Sequence, residues 1–204
     1  ESDVYCLEKD TFIKIRLVKD ENGFYGTVND VSSDILKKKQ IQYEKDHDHL
    51  TGLLLYPSFK REVTLVINNN NYNHLYAAVM VDLDSFKHIN DTYGHVAGDE
   101  LICAAADCMK NSFNEYGKVY RIGGDEFAVI ITEDINEFEN MIHRFKSNIT
   151  NWHGEFVDSM TVSYGWVFST EGNWGSIYEI SKAADERMYE SKERFYNESG
   201  VNRR

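Results

Sequence analysis

The chain has 204 residues, 42% of them hydrophobic and 27% charged, which suits one ordinary globular domain with an appendage. Its formal net charge of −12 argues against a nucleic-acid groove, because polyphosphate backbones are held by surplus Lys and Arg. A single nucleotide, held through a metal ion on carboxylates, stays open.

Residues 11 to 30 read as a β-hairpin. Phe12, Ile13, Ile15, Leu17 and Val18 lead into Lys19-Asp20-Glu21-Asn22-Gly23, whose Asn-Gly pair is a strong turn signal, and Phe24 to Val28 forms the second strand. Ser33 to about Lys45 turns polar and helical, with Lys37-Lys38-Lys39 as a solvated face. Leu36, Tyr43 and Leu50 repeat at heptad spacing, but Lys39 and Asp46 break the seam, so the segment reads as a connecting helix and not a coiled coil. A domain begins near Asp46. Pro57, the only proline, opens a helix running to the Asn68–Asn71 tract, read as a loop.

Leu75 to Leu83 is almost continuously apolar and predicts a central strand buried on both faces. Its longest apolar run, Leu75 to Val81, is far too short to cross a bilayer. Phe86 to Tyr93 is a helical turn and Val96 to Phe113 a longer helix. Val119 to Ile122 and Phe127 to Thr132 are strands on either side of Gly123-Gly124. Ile135 to Ile149 reads as helix, Met160 to Phe168 as strand and Ser176 to Tyr196 as the closing helix. Strands and helices alternate around a central hairpin, which gives an α/β (α+β) sandwich of mixed or antiparallel sheet with helices on its faces.

Chemistry concentrates at two acidic tips. In Arg121-Ile122-Gly123-Gly124-Asp125-Glu126-Phe127, two strands flank a glycine pair expected to turn tightly through positive φ. Asp125 and Glu126 follow, and as neighbouring strand positions they should face opposite ways and serve different tasks. Taken alone, a plain hairpin with a polar tip explains them equally well. Val79-Met80-Val81-Asp82-Leu83-Asp84 is a buried strand that ends abruptly in acids. A strand end reaching solvent would explain Asp there, but not both tips in fixed order with the glycines and Asn90. Facing each other, the two tips form an oxygen-ligand site for a hard divalent ion such as Mg²⁺, able to clamp phosphates and activate a hydroxyl.

The remaining residues read plainly. No cysteine spacing suggests a disulfide or zinc site, which indicates a reducing compartment and cysteines as small buried apolar groups. His47-Asp48-His49 reads as solvated linker, and Trp152, Trp166 and Trp174 as packing. No signal peptide is visible and the chain begins Glu1-Ser2-Asp3, so it is expected to be a piece of a longer protein whose relation to a membrane stays open.

Gly123-Gly124-Asp125-Glu126-Phe127 resembles the signature of the GGDEF family of diguanylate cyclases, and three further motifs follow the family's order. Asp48-His49-Leu50-Thr51-Gly52-Leu53 resembles its opening motif. Asp82 to His95, continued by Gly98-Asp99, resembles its nucleotide-binding strand and turn. Met188-Tyr189-Glu190-Ser191-Lys192 resembles its closing helix.

The resemblance implies a cytoplasmic enzyme domain over residues 46 to 200, with a fold like the palm of nucleotidyl cyclases and polymerases. It implies that two GTP condense into cyclic di-GMP plus pyrophosphate across a homodimer, with Mg²⁺ or Mn²⁺ as cofactor. Asp82 and Asp125 would ligate the metal with the Leu83 carbonyl, and Glu126 would be the catalytic carboxylate. Asn90 and Asp99 would read the guanine edge, with Lys87, Lys192 and Phe86 also lining the substrate site. Residues 1 to 32 resemble the end of a PAS-like sensor domain, joined by the connecting helix 33 to 45.

Three positions depart from the pattern. Leu54-Leu55-Tyr56 stands for the usual Pro-Asn-Arg, Tyr196 for an arginine, and Asn114-Glu115-Tyr116-Gly117 for the Arg-x-x-Asp inhibitory motif. The alternative these allow is a degenerate GGDEF domain that binds GTP and regulates by contact without catalysis.

Overall fold

A computed structural model describes residues 2–21, 23–68 and 76–199. They fall into two units, Glu1–Asp46 and His47–Arg204. No helix among the described residues is long and apolar enough to cross a membrane.

The first unit is an antiparallel sheet of β1 (Ser2–Glu8), β2 (Thr11–Asp20) and β3 (Gly23–Asp30), followed by α1 (Ser32–Asp46). The hairpin of β2 and β3 matches the sequence pattern, but its turn is displaced. Asp20 pairs with Gly23, which at φ 139° opens the returning strand and so belongs to the ladder and not to the turn; Asn22 lies outside the described residues. β1 is an addition that its polar sequence did not announce, pairing from Ser2↔Arg16 to Glu8↔Thr11. At the start of α1, Asp30 accepts a hydrogen bond from the Ser32 backbone N–H at 2.8 Å. α1 buries no residue, as its polar sequence requires.

The second unit is a five-stranded sheet in the order β4-β6-β7-β5-β8. β4 (Leu54–Leu55) runs parallel to β6 (Gly117–Arg121). The other pairings, among β6, β7 (Glu126–Ile131), β5 (Ala77–Leu83) and β8 (Val162–Phe168), are antiparallel. The expected mixed-sheet sandwich is therefore present. Every residue of β5 is buried, because helices cover both faces of the sheet.

Alternation along β5 sorts its side chains into two layers. Ala77, Val79, Val81 and Leu83 pack with α4 (His95–Phe113) and α5 (Phe138–Thr150). Ala78 and Met80 pack with α2 (Tyr56–Asn68) and α6 (Ile177–Ser199). The next residue on the α6 side is Asp82. α6 lies on β8 backbone to backbone: a Cβ on Gly165 would sit 2.2 Å from the Met188 nitrogen. α3 (Phe86–Tyr93) completes the set beside the end of β5. Residues 69–71 of the expected asparagine loop, and Leu75, lie outside the described residues.

One plain reading needs adjusting. Cys108 is buried, and burial with the neighbouring Asp107 charge pushes its thiol up to about 11, but Cys6 is exposed on β1. The tryptophans pack as expected: Trp152 and Trp166 lie against the α4–α5 layer and Trp174 against the α2–α6 layer.

Candidate active site

The two acidic tips meet at one end of the sheet. Antiparallel pairing sets Val81 opposite Phe127 and Asp82 opposite Glu126. One step further, the Leu83 N–H donates to the Asp125 carbonyl at 3.1 Å, pinning the strand end to the hairpin tip. The hairpin closes through the Glu126 carbonyl, which accepts from Ile122 N–H at 2.9 Å and Gly123 N–H at 3.2 Å.

The glycine pair works differently from the expected turn. The positive-φ glycines of the described chain are Gly23, Gly52 and Gly94, not Gly123 or Gly124. Gly123 is needed for close approach instead: a Cβ there would lie 2.6 Å from Glu126 Oε2 and 3.1 Å from Glu126 Cβ. A Cβ on Gly124 would meet open space, and nothing in the structure explains that glycine. Asp125 also sits in the loop, before β7 begins at Glu126, so the two acids differ as loop and strand residues and not as opposite faces of one strand.

Asp82 is 5% exposed, and Lys192 of α6 donates to its Oδ1 at 2.5 Å. Burial pushes the Asp82 carboxyl above its ordinary range, the charges of Asp125 and Asp185 add to this, and Lys192 opposes it. Glu126 is raised in the same way, by burial and then by Asp82, Asp125 and Asp185. Burial alone would lower the Lys192 ammonium, but the hydrogen bond and charge of Asp82 outweigh it and raise it. Asp84 is buried beside them; burial raises its carboxyl although Ser163 Oγ donates to it at 2.6 Å.

No three His, Cys, Asp or Glu side chains among the described residues stand ready to hold a metal on their own. An ion here would draw on the Asp82 and Asp125 carboxylates and the Leu83 carbonyl, an all-oxygen set suited to a hard divalent cation. The Lys192 ammonium already occupies a cation's place on Asp82. The residues present fit such an ion.

Asn90 and Asp99 form a second group. A Cβ on Gly98 would lie 2.1 Å from Asn90 Oδ1, so the Asn90 amide rests against α4 one residue before the exposed Asp99. Lys87 is exposed in the first turn of α3. Phe86 is partly buried against the α4–α5 layer, and Phe127 is fully buried within it. Ser85 joins β5 to α3 in a left-handed conformation, φ 56°.

Three features escaped the sequence reading. Asp185 adds its charge to the cluster, and its spacing of two helical turns before Lys192 was the available signal. Asp48 is no solvated linker residue. Its Oδ1 accepts from Thr51 N–H at 2.9 Å, Thr51 Oγ1 at 2.7 Å and Arg121 Nη1 at 2.9 Å. Arg121 also donates to the Gly124 carbonyl through Nη2, at 2.7 Å, so it ties the hairpin tip to the Asp48–Thr51 turn. Glu100, third, gathers the backbone N–H groups of Glu155 at 2.6 Å and Phe156 at 3.0 Å.

The family profile "Diguanylate cyclase, GGDEF domain" matches residues 45–198. The diguanylate cyclase DgcN of Escherichia coli is 31% identical over 163 residues, 76% of this chain and 39% of its own length. VdcA of Vibrio cholerae, also a diguanylate cyclase, is 29% identical over 94% of this chain and 60% of its own. The chain thus spans about two fifths of the E. coli relative. Among solved structures, the coiled coil and GGDEF domain of DgcB from Caulobacter crescentus in complex with c-di-GMP superposes with a TM-score of 0.71. That match has 22% identity and covers 80% of this chain and 90% of the other. With three quarters of its length inside the profile, this chain belongs to the GGDEF family of diguanylate cyclases.

Proposed function

We propose that residues 46 to 200 form an active diguanylate cyclase that condenses two GTP into cyclic di-GMP and two pyrophosphates. The observation that carries the reading is the pairing of Asp82 with Glu126, flanked by Asp125 and Lys192, at one end of the sheet. In each half-reaction a GTP 3′-oxygen bonds to the α-phosphorus of the other GTP. The bond from that phosphorus to the pyrophosphate oxygen breaks, and the 3′-hydroxyl proton passes to Glu126. The raised proton affinity of Glu126 suits it to this task.

Asp82, Asp125 and the Leu83 carbonyl would hold Mg²⁺ or Mn²⁺, which supplies charge neutralisation at the phosphates and acidifies the attacking hydroxyl. Asn90 and Asp99 match the donor and acceptor pattern of guanine. Lys87 and Lys192 would meet the phosphates, beside Phe86. Two chains must face each other, since each half-site holds one GTP. In this reading residues 1 to 32 are the end of a PAS-like sensor and α1 is its connector.

Of the departures from the family pattern, Leu54 and Leu55 form β4 at the sheet edge and Tyr56 opens α2. Leu55, Tyr56 and Tyr196, the last in place of a cation, are what favour the binding-only alternative. Incubating the chain with GTP and Mg²⁺ and resolving the nucleotides by chromatography tests both. Cyclic di-GMP supports the cyclase; GTP binding without product supports the degenerate module.

A further inference from the structure

The acidic end of the sheet holds more negative charge than its own cation can balance. Asp125 and Asp185 add their negative charge to Asp82 and Glu126, and Lys192 is the cation that acts on Asp82, Asp84 and Glu126 alike. Lys192 does not sit at an average position among them. Its ammonium is committed to one oxygen, Asp82 Oδ1, at 2.5 Å, with the carboxylate side chain 7% and the lysine 22% exposed. A carboxylate this buried is costly without a cation, so in the chain alone the ion pair is what allows Asp82 to remain charged inside.

Asp82 is also the carboxylate best placed for a divalent ion, because it lies opposite Glu126 and next to the Leu83–Asp125 contact. An ammonium and a divalent cation on the two oxygens of one carboxylate would stand only about 4 to 6 Å apart and repel each other in this partly buried site. We propose that Lys192 is an internal counter-cation that competes with the divalent ion for Asp82. Metal loading requires its ammonium to leave Oδ1, and the released side chain is then free to meet an arriving polyphosphate. The movement asks little of the fold. The lysine stem has four rotatable carbons, while α6 beneath it is fixed by the contact of Met188 and Ala184 with Gly165.

The inference rests on the proposed metal and nucleotide site, so its test separates the two. Mn²⁺ binding without nucleotide is measured by calorimetry on the full chain, on Lys192→Met and on Lys192→Arg. Lys192→Met should bind Mn²⁺ at least about fivefold tighter than the unmodified chain, and Lys192→Arg should not. Adding Asp82→Asn to Lys192→Met should abolish the gain. With GTP present the order reverses, since Lys192→Met has lost a phosphate partner.

A second readout needs no variant. The Lys192 Nζ–H resonance, protected from exchange by the ion pair, should disappear as Mg²⁺ saturates the unmodified chain. Equal Mn²⁺ affinities in the unmodified chain, Lys192→Met and Lys192→Arg overturn the inference, as does a protected resonance that persists at saturating Mg²⁺ or an absence of Mn²⁺ binding in every form. If the affinity order holds but no form makes cyclic di-GMP, the cyclase reading fails and the counter-cation stands. If product forms but the affinities are equal, only the counter-cation fails.

Discussion

Arg121 and Asp48 lie 73 residues apart in the chain and meet through a 2.9 Å charged hydrogen bond, both largely shielded from solvent. The same guanidinium grips the Gly124 carbonyl, so the turn that opens the second unit and the tip that carries Asp125 and Glu126 form one rigid piece. Burial pushes the Asp48 carboxyl upward, but the hydrogen bonds from Thr51 and Arg121 outweigh it and hold it below its ordinary value of 3.8. A lowered carboxyl stabilises the fold fully above that ordinary value, and the contribution fades as pH falls through the lower folded value. Asp48→Asn should therefore cost stability at pH 7 and lose that disadvantage in the acid limb. Urea titrations at pH 7 and pH 3 check this, and a gap between the chains that stays constant across that range would contradict it.

Glu126→Gln should remove product formation by at least about 100-fold while leaving GTP–Mg²⁺ affinity within a few-fold, because the base is lost and the proposed metal ligands remain. Asp125→Asn should instead weaken metal-dependent binding. Turnover assays beside calorimetry separate the two, and a Glu126→Gln chain that turns over normally would move the base elsewhere.

Gly98→Ala tests whether Asn90 reads the base. The new methyl would meet Asn90 Oδ1 at 2.1 Å, a side-chain atom that can swing away. Alanine gains about 1 kcal/mol of helix propensity over glycine, so the melting temperature should hardly fall. GTP affinity should drop by about tenfold as the amide leaves its place, and ATP should compete better than before. Unchanged competition by ATP would show that Asn90 has no part in base choice.

Tyr120 presents the opposite case. Its ring fills the α2–α6 layer at 0% exposure, against Phe59, yet its hydroxyl has no hydrogen-bond partner among the described residues. Burial, with the charge of Glu62, drives its proton affinity up. Tyr120→Phe removes an unpaired buried hydroxyl and should leave stability unchanged or raise it by about 1 kcal/mol. Chemical denaturation gives the number, and a loss of more than about 1 kcal/mol would mean the hydroxyl is satisfied after all.

Local patterns carried most of the second unit. β5 was legible because helices on both faces require an unbroken apolar run, and α4 and α5 because their apolar residues recur at helical spacing. The meeting of Asp82 with Glu126 followed from two acidic strand ends. What stayed hidden depends on partners distant in sequence. β4 is two residues long and exists only because β6 lies beside it. Asp48 looked like a solvated residue because Arg121, 73 residues on, could not be placed against it. The role of Gly123 was misread because its crowding comes from the Glu126 side chain and not from its own backbone angles.

The distance along the chain between Asp82 and Lys192, 110 residues, also bears on the order in which the molecule is made. A ribosome delivers both acidic tips well before it delivers α6. Until that helix docks, the nascent domain carries its clustered carboxylates without the lysine that neutralises Asp82. Docking of α6 onto Gly165 then brings packing and charge relief in one step, so α6, made after every strand of the sheet, is also the element that closes it.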